Sequence, residues 1–365
     1  MSSKNKIFAK YTDENDDIDC GSLQSGISLD CARRYYSVAT IIQLIDVLTE
    51  NGGSFLQLHL TDNQNVGVEC NLLGQTANRA VKLTDGSYQN PQTGKQFLLA
   101  SEISDILDYA SHKHIAIIPE IDAPAHMEGF FTLADNLYGR DYVDTLAYSR
   151  RDYPGELDIA SEAAIRFVQV LYDEYARLFN RCRYFHIGCD ELWSGSSRDK
   201  TAYIQNLSSY MKKKGFTVRM WNDLLIRDNI ADLDHTIQVT YWSWDGEVQD
   251  AATKEVRRSK RASVPDLQEA GFEILIYNAY YLYYVPSLKN FNTHDNDYTV
   301  NDLKDNWTIK NWDSNTGRQL AATDHIIGSA VSMWSEDSAP LSTDQIVTQF
   351  IRQFEAMSWV NKNRQ

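Results

Sequence analysis

A single (β/α)8 barrel is the fold that the sequence predicts, and three observations lead to that prediction. The chain has 365 residues, of which 43% are hydrophobic, so it can bury one large core. Eight short apolar runs alternate with longer amphipathic segments, which is typical of parallel strands joined by helical crossovers. The alternative is an open doubly wound sheet, which usually carries a glycine-rich phosphate loop after its first strand, and this sequence has no such loop.

Each apolar run has the length of a buried strand. In chain order the predicted strands are 26–30, 55–60, 115–120, 184–189, 217–220, 237–241, 273–278 and 327–333. Because the first strand begins near residue 26, we expect an N-terminal extension over residues 1–25 and one barrel domain over residues 26–365.

Helix-like segments lie between the runs. They cover 38–51, 101–113, 161–180, 201–214, 263–270, 301–312 and 343–358. Ser161 with an early glutamate is a typical helix start, and Gly215 and Gly271 stand where helices should end. A polar insertion, 245–262, interrupts the segment after the sixth run. The long stretch 61–100 predicts an elaborated loop at the C-terminal face of the barrel.

The net charge is −15, from 35 basic and 50 acidic residues, and it argues against some partners. A nucleic-acid backbone needs a basic surface, so nucleic acid is not expected as a partner. A cationic polymer would be tolerated or attracted. None of the apolar runs approaches the roughly 20 residues of a membrane span, so no membrane association is expected.

The cysteines and the N-terminal residues indicate the cellular compartment in which the protein is expected. Five cysteines without a C-x-x-C pair predict neither a zinc knuckle nor a disulfide framework. Residues 1–19 are polar and lack the apolar segment of a signal peptide. We therefore expect either a cytoplasmic protein or a mature protein whose leader has been removed.

Polar and aromatic residues follow every predicted strand, at the end where a barrel of this kind places its active site. In chain order they are Asp30 and Arg33, His59 and Asp62, Glu120, Asp122 and His126, Asp190 and Glu191, Trp221, Asn222 and Asp223, Trp242, Trp244 and Asp245, Asn278, Tyr281 and Tyr283, and Trp334 and Glu336. Carboxylates and an arginine suit sugar hydroxyl groups, and aromatic faces suit the apolar sides of sugar rings. The set therefore predicts a carbohydrate site, with Glu120 interpreted as a structural acid at the barrel rim.

Asp190 and Glu191 stand next to each other at the end of the fourth predicted strand. Ordinary glycosidases place two carboxylates about 5 to 9 Å apart across the scissile bond, whereas neighbours on a strand point to opposite faces. The pair can share a pocket only where the strand breaks into its loop. This placement favours different roles for the two acids: Glu191 protonates the leaving oxygen, and Asp190 binds a group of the substrate.

Seven motifs, in order along the chain, form a recognisable set. His186-Ile-Gly-Cys-Asp-Glu191 has the pattern H-x-G-G-D-E with one change, residues 58–64 are close to H-L-T-D-D-Q, and residues 119–126 are close to P-E-I-D-x-P-G-H. The other motifs lie at 219–223, 240–245, 277–283 and 334–336. Together the seven resemble the family 20 β-N-acetylhexosaminidases. They are most similar to members that cleave the β-1,6-linked poly-N-acetylglucosamine of the biofilm matrix.

The resemblance implies retaining hydrolysis assisted by the substrate, without a metal or a cofactor. In the family the 2-acetamido oxygen of the sugar attacks its own anomeric carbon, and water then opens the oxazolinium-like intermediate. By this resemblance Glu191 is the general acid and then the general base, Asp190 orients the acetamido N–H, and Tyr283 binds the acetamido oxygen. Asp122 and His126 are expected to form a hydrogen-bonded chain to Glu191 that tunes its pKa.

The resemblance also assigns the residues that bind the sugar. They are Arg33, His59, Asp62, Trp221, Trp242, Trp334 and Glu336. Of these, Arg33 and Glu336 are expected to bind hydroxyl groups of the terminal sugar, and the three tryptophans are expected to wall the pocket. Asp245, Glu247 and Asp250 are expected to attract the free ammonium groups of a partly deacetylated polymer.

Four residues depart from the family pattern. Cys189 and Ala125 each stand where the family usually has glycine, Asn63 replaces an aspartate, and Trp193 follows the acidic pair. We expect the Cys189 side chain to point away from Asp190 into packing, and Trp193 to alter the binding of the leaving sugar. Because no catalytic group is lost, activity is expected.

Three other hypotheses stay open. The enzyme could prefer chitooligosaccharides or glycoprotein glycans, or the barrel could bind carbohydrate without catalysis, although both acids of the pair are retained. A metal hydrolase would use His59, Asp62, Glu120 and His126, but these belong to different strands and the H-E-x-x-H spacing of a zinc helix is absent. The preferred expectation is a secreted, monomeric hydrolase that needs no metal.

Overall fold

The computed structural model describes residues 23–148, 154–289 and 291–364. Eight parallel strands of this described chain close into one barrel, because the first strand pairs with both the second and the last. They are β1 (Gln24–Asp30), β2 (Phe55–His59), β8 (Ala116–Ala123), β9 (Tyr184–Gly188), β10 (Thr217–Trp221), β11 (Gln238–Tyr241), β12 (Glu273–Ile276) and β14 (Ile326–Met333). The predicted (β/α)8 barrel is therefore confirmed. Most of the predicted N-terminal extension lies outside the described residues.

Helices surround this barrel. In the described chain they are α1 (Val38–Glu50), α2 (Ala100–His112), α3 (Glu128–Tyr138), α4 (Arg140–Asp144), α5 (Glu162–Leu178), α6 (Ser197–Lys213), α7 (Ala251–Lys260), α8 (Val264–Ala270), α9 (Ala279–Leu282), α10 (Thr293–Asn306) and α11 (Thr343–Asn363). A serine starts α1, α5, α6, α8 and α11, because its side-chain oxygen accepts a backbone N–H of the first turn. Gly271, with a φ of 87°, ends α8 in the left-handed conformation that glycine adopts readily.

The long segment between β2 and β8 forms the elaborated loop that the sequence predicts. It holds a hairpin of β3 (Thr61–Asp62) and β4 (Asn65–Val66), followed by an antiparallel sheet of β5 (Val81–Lys82), β6 (Tyr88–Gln89) and β7 (Gln96–Phe97). Another short strand, β13 (Tyr283–Tyr284), pairs with the end of β14. Because the long segment leaves the carboxyl end of β2, it lies at the face where such barrels carry their active sites.

Some helices differ from the prediction. The helix expected at 301–312 is α10, which ends at Asn306, while Trp307, Ile309 and Trp312 are buried in the irregular chain beyond it. Their apolar pattern reflects core packing rather than a helix. The polar insertion contains α7, all of whose residues are at least partly exposed. The sequence analysis also misses α3 and α4.

A buried arginine closes the interior of the barrel beneath the site. The guanidinium carbon of Arg219 lies 4.4 Å from the ring centre of Tyr184 and 4.8 Å from that of Phe55. Its N–H groups donate to Gln24 and Gln238 at 2.8 Å, near the amino ends of β1 and β11. The interior is therefore packed at this level. Within the described residues, no helix combines the length and the apolar character that a membrane span requires.

Candidate active site

The end of β9 breaks the strand geometry and brings both candidate acids to one pocket. Gly188, Cys189 and Glu191 have φ angles of 72°, 78° and 43°, in the left-handed region that residues other than glycine rarely adopt. The imidazole of His186 supports this turn, because its Nδ1 accepts the backbone N–H of Gly188 at 3.1 Å. Burial lowers the pKa of His186 to about 4, so the ring is neutral and able to accept. The strand break that Asp190 and Glu191 require is present.

Glycine is needed at position 188 because another side chain occupies the adjoining space. A Cβ atom there would lie 1.8 Å from Asp122 Oδ1 and 2.8 Å from the backbone nitrogen of Ala123. The neighbouring Cys189 side chain is fully buried in the hydrophobic core, where the sequence analysis expects it. The turn that carries the acids is thus packed from both sides.

The two acids have opposite environments although they are neighbours in the sequence. The Asp190 side chain is 17% exposed, and burial, with the charges of Asp223 and Glu191, raises its pKa to about 7 against the effect of His126. The Glu191 side chain is 42% exposed, and contact with His126 lowers its pKa. In the free protein Asp190 therefore holds a proton more readily than Glu191 does.

His126 lies between these acids. Its Nε2 atom is 3.6 Å from Asp190 Oδ2 and 3.4 Å from Glu191 Oε2. Burial opposes the charged ring, but Asp190, Glu191 and Asp122 together raise the pKa of His126 to about 10. At neutral pH the ring is therefore a cation that joins two carboxyl groups.

The predicted hydrogen-bonded chain from Asp122 through His126 to Glu191 is not formed at its first link. Both carboxylate oxygens of Asp122 are buried without a hydrogen-bond partner among the described residues. The Nδ1 atom of His126 lies 3.4 Å from Asn63 Nδ2 instead. The reason is packing, since the Asp122 carboxyl group fills the space above Gly188. Burial raises the pKa of Asp122 well above its ordinary value, against the effect of the neighbouring His126.

The first wall of the pocket is a chain of buried charged groups that ends on Trp221. The Trp221 indole donates to Glu120 at 2.6 Å, and Glu120 lies 3.1 Å from His59 Nδ1. His59 Nε2 lies 3.1 Å from Asp62, which lies 2.7 Å from Arg33 Nη2. Despite burial, Glu120 and Asp62 raise the pKa of His59 well above its ordinary value, and His59 lowers that of Glu120 to about 2. Charges thus alternate along the wall.

The second wall repeats this arrangement on Trp242. The Trp242 indole donates to Asp223 at 2.6 Å, and Asp223 is paired with Arg261 at 2.8 Å. Tyr283 stacks on Trp242 with ring centres 6.0 Å apart and ring planes within 9°. Tyr283 also lies 5.6 Å from Trp334, which brings the three aromatic rings together. In each wall a buried carboxylate orients a tryptophan and a cation balances the carboxylate.

Two predicted binding residues lie outside these walls. Glu336 is exposed just beyond β14, where its charge acts on the guanidinium of Arg33. Asp250 is exposed and caps α7, since its side chain accepts a backbone N–H of the first turn at 2.7 Å. Asp245, also expected to attract a cationic polymer, is buried and paired with Arg258 at 2.7 Å. Its charge is therefore balanced within the protein.

Sequence reasoning misses the groups that fix the tryptophans. Glu120 is fully buried and accepts the Trp221 N–H, a contact that the sequence analysis does not foresee. A buried indole N–H needs an acceptor, so an acid on a neighbouring strand is the signal that could have identified it. Asp223 belongs to a noted strand end, but Arg261 comes from the polar insertion and no local pattern points to it.

Two clusters have donor sets that could hold a metal ion. His59, Asp62 and Asp122 each place a ligand atom within 4.8 Å of the others, and so do Asp122, His126 and Asp190. Each cluster already includes protonated groups, because the pKa values of His59 and His126 are raised. A metal ion would have to displace those protons, since metal ligands bind in their deprotonated forms.

The pocket combines aromatic walls with proton-transfer groups at one end. Trp242, Tyr283 and Trp334 form an aromatic surface next to the buried Trp221, while Asp190 and Glu191 follow the end of β9. Such a site can hold a sugar ring, bind one of its substituents at a buried acid and move a proton at its exposed edge.

Comparison of this chain with known protein sequences identifies the family to which it belongs. The sequence model described as Glycosyl hydrolase family 20, catalytic domain, matches residues 25–351. The chain is 25% identical to Beta-hexosaminidase 1 of Coccidioides posadasii, over 86% of this chain and 56% of that protein. It is 26% identical to Lacto-N-biosidase of Bifidobacterium bifidum, over 72% of this chain and 23% of that protein. The chain thus spans about half the length, or less, of these curated relatives.

Two solved structures are also similar to this chain. The structure of Dispersin B matches with a TM-score of 0.88 and 38% sequence identity, over 93% of this chain and 99% of that chain. A pneumococcal exo-β-D-N-acetylglucosaminidase module matches with a TM-score of 0.70 and 18% identity, over 92% of this chain and 83% of that chain. The second likeness is one of fold alone.

Proposed function

The chain belongs to glycosyl hydrolase family 20, and on this premise we propose that it is a β-N-acetylhexosaminidase that works by substrate assistance. In such a reaction the 2-acetamido group of the sugar, rather than a protein carboxylate, attacks the anomeric carbon. The observation that carries the proposal is the adjacency of Asp190 and Glu191 at one end of an aromatic pocket. Two neighbouring residues cannot take opposite sides of a glycosidic bond, so a nucleophile from the substrate fits better.

In the first step the acetamido carbonyl oxygen forms a bond to C1, and the bond from C1 to the leaving oxygen breaks. Glu191 gives its proton to the leaving oxygen, while Asp190 accepts a hydrogen bond from the acetamido N–H and stabilises the developing positive charge. In the second step water attacks C1 while the bond from C1 to the acetamido oxygen breaks, and Glu191 takes up a proton of that water, so that the acetamido group is restored and the configuration is retained. Burial keeps the pKa of Tyr283 well above its ordinary value, so its phenol is a donor for the acetamido oxygen.

Substrate binding supplies the protonation states that the reaction needs. Glu191 is partly exposed in the free protein and its pKa is lowered. A bound sugar removes water from this carboxylate and raises its pKa, because burial disfavours the charged form. The acetamido N–H has the opposite effect on Asp190, because a hydrogen bond to the carboxylate favours its ionised form.

The test compares two substrates that differ only in the substituent at C2. We expect hydrolysis of 4-methylumbelliferyl N-acetyl-β-glucosaminide and essentially none of the corresponding β-glucoside, since the glucoside lacks the nucleophile. The readout is the initial rate by fluorescence. Comparable rates on the two would exclude substrate assistance, and no hydrolysis of either would exclude the proposed activity.

Within this activity we propose β-1,6-linked poly-N-acetylglucosamine as the natural substrate and an extracellular site of action. Three observations support this choice. The chain is similar to Dispersin B over nearly its full length, and the sequence motifs resemble the members of the family that act on this polymer. The net charge of −15 also suits a polymer that carries some free ammonium groups.

Chitooligosaccharides are the second candidate. The relative named Chitooligosaccharidolytic beta-N-acetylglucosaminidase of Bombyx mori is 23% identical over 87% of this chain and 54% of that protein. Matched β-1,6 and β-1,4 oligomers of N-acetylglucosamine, with product analysis by chromatography, separate the two candidates. We expect faster cleavage of the β-1,6 series, and the opposite order would favour chitooligosaccharides.

A further inference from the structure

A buried carboxylate from another part of the chain holds the loop that follows β9. Glu156 is 3% exposed and lies in the connection between α4 and α5. Its side-chain oxygens accept two consecutive backbone N–H groups of the loop, that of Trp193 at 2.7 Å and that of Ser194 at 3.0 Å. Hydrogen bonds to a carboxylate are stronger than those between neutral groups, so Glu156 fixes the backbone just beyond Glu191.

A lysine holds the same loop through a different residue. Lys200, in the first turn of α6, donates to the backbone oxygen of Leu192 at 2.8 Å. The side chain of Leu192 is buried in the hydrophobic core. The backbone of residues 192–194 is thus held by side chains from two separate parts of the chain. The position of Glu191 therefore depends on the loop after it as well as on the strand before it.

The backbone around Glu156 also holds the turn that carries His126. Two backbone hydrogen bonds, each 2.8 Å long, join this part of the chain to the residues on either side of His126. They run from Leu157 N to Pro124 O and from Met127 N to Gly155 O. The same short segment therefore supports both His126 and Glu191, whose Nε2 and Oε2 atoms lie 3.4 Å apart.

We propose that Glu156 is a positioning residue for the proposed reaction, on which this inference rests. It acts through the loop rather than on the substrate, because it sets the place from which Glu191 gives its proton to the leaving oxygen. Proton transfer needs hydrogen-bond reach, about 2.6–3.2 Å between the heavy atoms. A small displacement of Glu191 therefore slows this step more than it weakens substrate binding.

A purely structural role for Glu156 has different consequences. If the carboxylate only stabilised the fold, its loss would lower the stability of the protein and reduce the rate on every substrate alike. A displaced general acid instead slows each substrate according to how much protonation its leaving group needs. The dependence of the rate on the leaving group therefore distinguishes the two roles.

The test is Glu156→Gln, which keeps the size of the side chain but turns an amide NH2 group towards one of the two backbone N–H groups. On an N-acetylglucosamine oligomer, of the linkage that the protein cleaves faster, kcat should fall about thirtyfold. On 4-methylumbelliferyl N-acetyl-β-glucosaminide, whose leaving group needs little protonation, kcat should fall only about threefold. KM should change by less than about twofold on either substrate, since the pocket walls are unchanged.

Glu174 provides a matched control. Its carboxylate also accepts two consecutive backbone N–H groups, that of Asn71 at 2.5 Å and that of Leu72 at 2.9 Å. These residues belong to the segment between β2 and β8 rather than to the loop after β9. Glu174→Gln should therefore leave the ratio of the two kcat values unchanged.

A second variant tests the other contact of the loop. Lys200→Met removes the donor to Leu192 and keeps an apolar side chain of similar length. It should shift the ratio of the two kcat values in the same direction as Glu156→Gln, by about threefold. Melting curves show which variants are folded, and Lys200→Met decides the question if Glu156→Gln is not.

The outcomes separate the positioning role from the proposed function. Equal losses on the two substrates, or no loss on either, would overturn the role of Glu156. The same change of ratio in Glu174→Gln would overturn it as well, because the effect would not be specific to the loop after β9. No hydrolysis of either substrate by the unmutated protein would instead refute the proposed function, and with it the role of Glu156 in that function.

Discussion

The pocket walls and the acid loop, which comprises residues 191–196, are built by different means. In the walls, Trp221 and Trp242 are buried and each donates to a buried carboxylate that is paired with a cation. In the acid loop, the side chain of Glu191 is 42% exposed, Trp193 is 48% exposed, and Glu156 holds the backbone rather than the side chains. In the walls, buried charged groups hold the side chains in place. In the loop, hydrogen bonds hold the backbone in place, and the side chains stay open to solvent.

Because of this difference, substitutions in the two regions should affect stability and activity differently. A wall residue belongs to a buried network, so its loss leaves other charged groups unpaired in the interior. A loop side chain faces solvent and can be changed with little effect on folding. We therefore expect wall variants to lose stability and activity together, and loop variants to lose activity alone.

The largest effect is expected from Glu191→Gln in the acid loop. Turnover of oligosaccharides should fall about a thousandfold, because general acid catalysis is lost, while the melting temperature stays within a degree or so of the original. Aryl substrates should lose less, since their leaving group needs little protonation. Steady-state kinetics on both substrate types and a thermal melt check this. Equal losses on the two substrate types would argue against the acid role.

The next effect is expected from Asp223→Ala in the second wall. Arg261 would be left buried without its partner and Trp242 without its acceptor, so the free energy of unfolding should fall by about 3 kcal/mol. Activity should fall as well, since the aromatic wall is no longer oriented. Urea unfolding and kinetics together make the test. A fully stable, inactive variant would contradict the coupling of stability and activity in the walls.

The substitution Asp190→Asn tests how the buried acid next to Glu191 affects stability. Its pKa is about 7 in the folded protein against an ordinary 3.8. A raised pKa means that this carboxyl group favours folding at low pH, and that the contribution is lost as the pH rises through 7. Asparagine cannot ionise, so the variant should melt higher than the original protein at pH 8, and this advantage should shrink towards pH 4.

The activity of Asp190→Asn should fall, although its melting temperature at pH 8 should rise. Turnover should fall about a hundredfold, because the amide cannot replace a carboxylate beside the developing charge. Melting curves at pH 4, 6 and 8 provide the first measurement and kinetics the second. A variant less stable than the original at pH 8 would show that the ionised carboxylate is not strained by its burial.

Smaller effects are expected from the charge of Asp250 outside the pocket. Asp250→Asn keeps a side-chain oxygen for the α7 cap and removes the charge. Cleavage of a partly deacetylated polymer should then become less sensitive to salt, by less than about twofold, because exposed charges are screened over about 8–10 Å. A neutral disaccharide is the control. If both substrates respond to salt alike in the original protein, the acidic surface does not attract the polymer.

No effect is expected from metal removal. The carboxylates of both candidate metal clusters already face protonated histidines. Rates before and after dialysis against EDTA should agree. Loss of activity that zinc restores would revive the hypothesis of a metal hydrolase.

The parts of the molecule that follow a local pattern could be predicted from the sequence. The eight barrel strands were identifiable because each is a short apolar run, and Asp190, Glu191 and Tyr283 because strand ends carry the site in such a barrel. The structure brings them together at one end of the barrel, and their catalytic roles stay predictions.

The remainder depends on contacts between distant residues. Arg261 reaches Asp223 from an insertion, and Glu156 reaches the acid loop from the preceding connection. Nothing local in the sequence records either contact. Asp122 failed to bond His126 because it packs above Gly188, which depends on the closeness of two strands. Composition and periodicity describe single elements, and such pairings appear only once the barrel is closed.

The burial of Cys189 has a consequence for chemical durability. Its thiol sits directly before the acidic pair, yet it is fully enclosed, and burial raises its pKa well above the ordinary value. Cys31 and Cys70 are enclosed in the same way. Since only an accessible thiolate reacts with alkylating agents and peroxides, these sulfur atoms are inert while the barrel stays folded. The turn that carries Asp190 and Glu191 thus contains an oxidisable sulfur atom without being a target for oxidants.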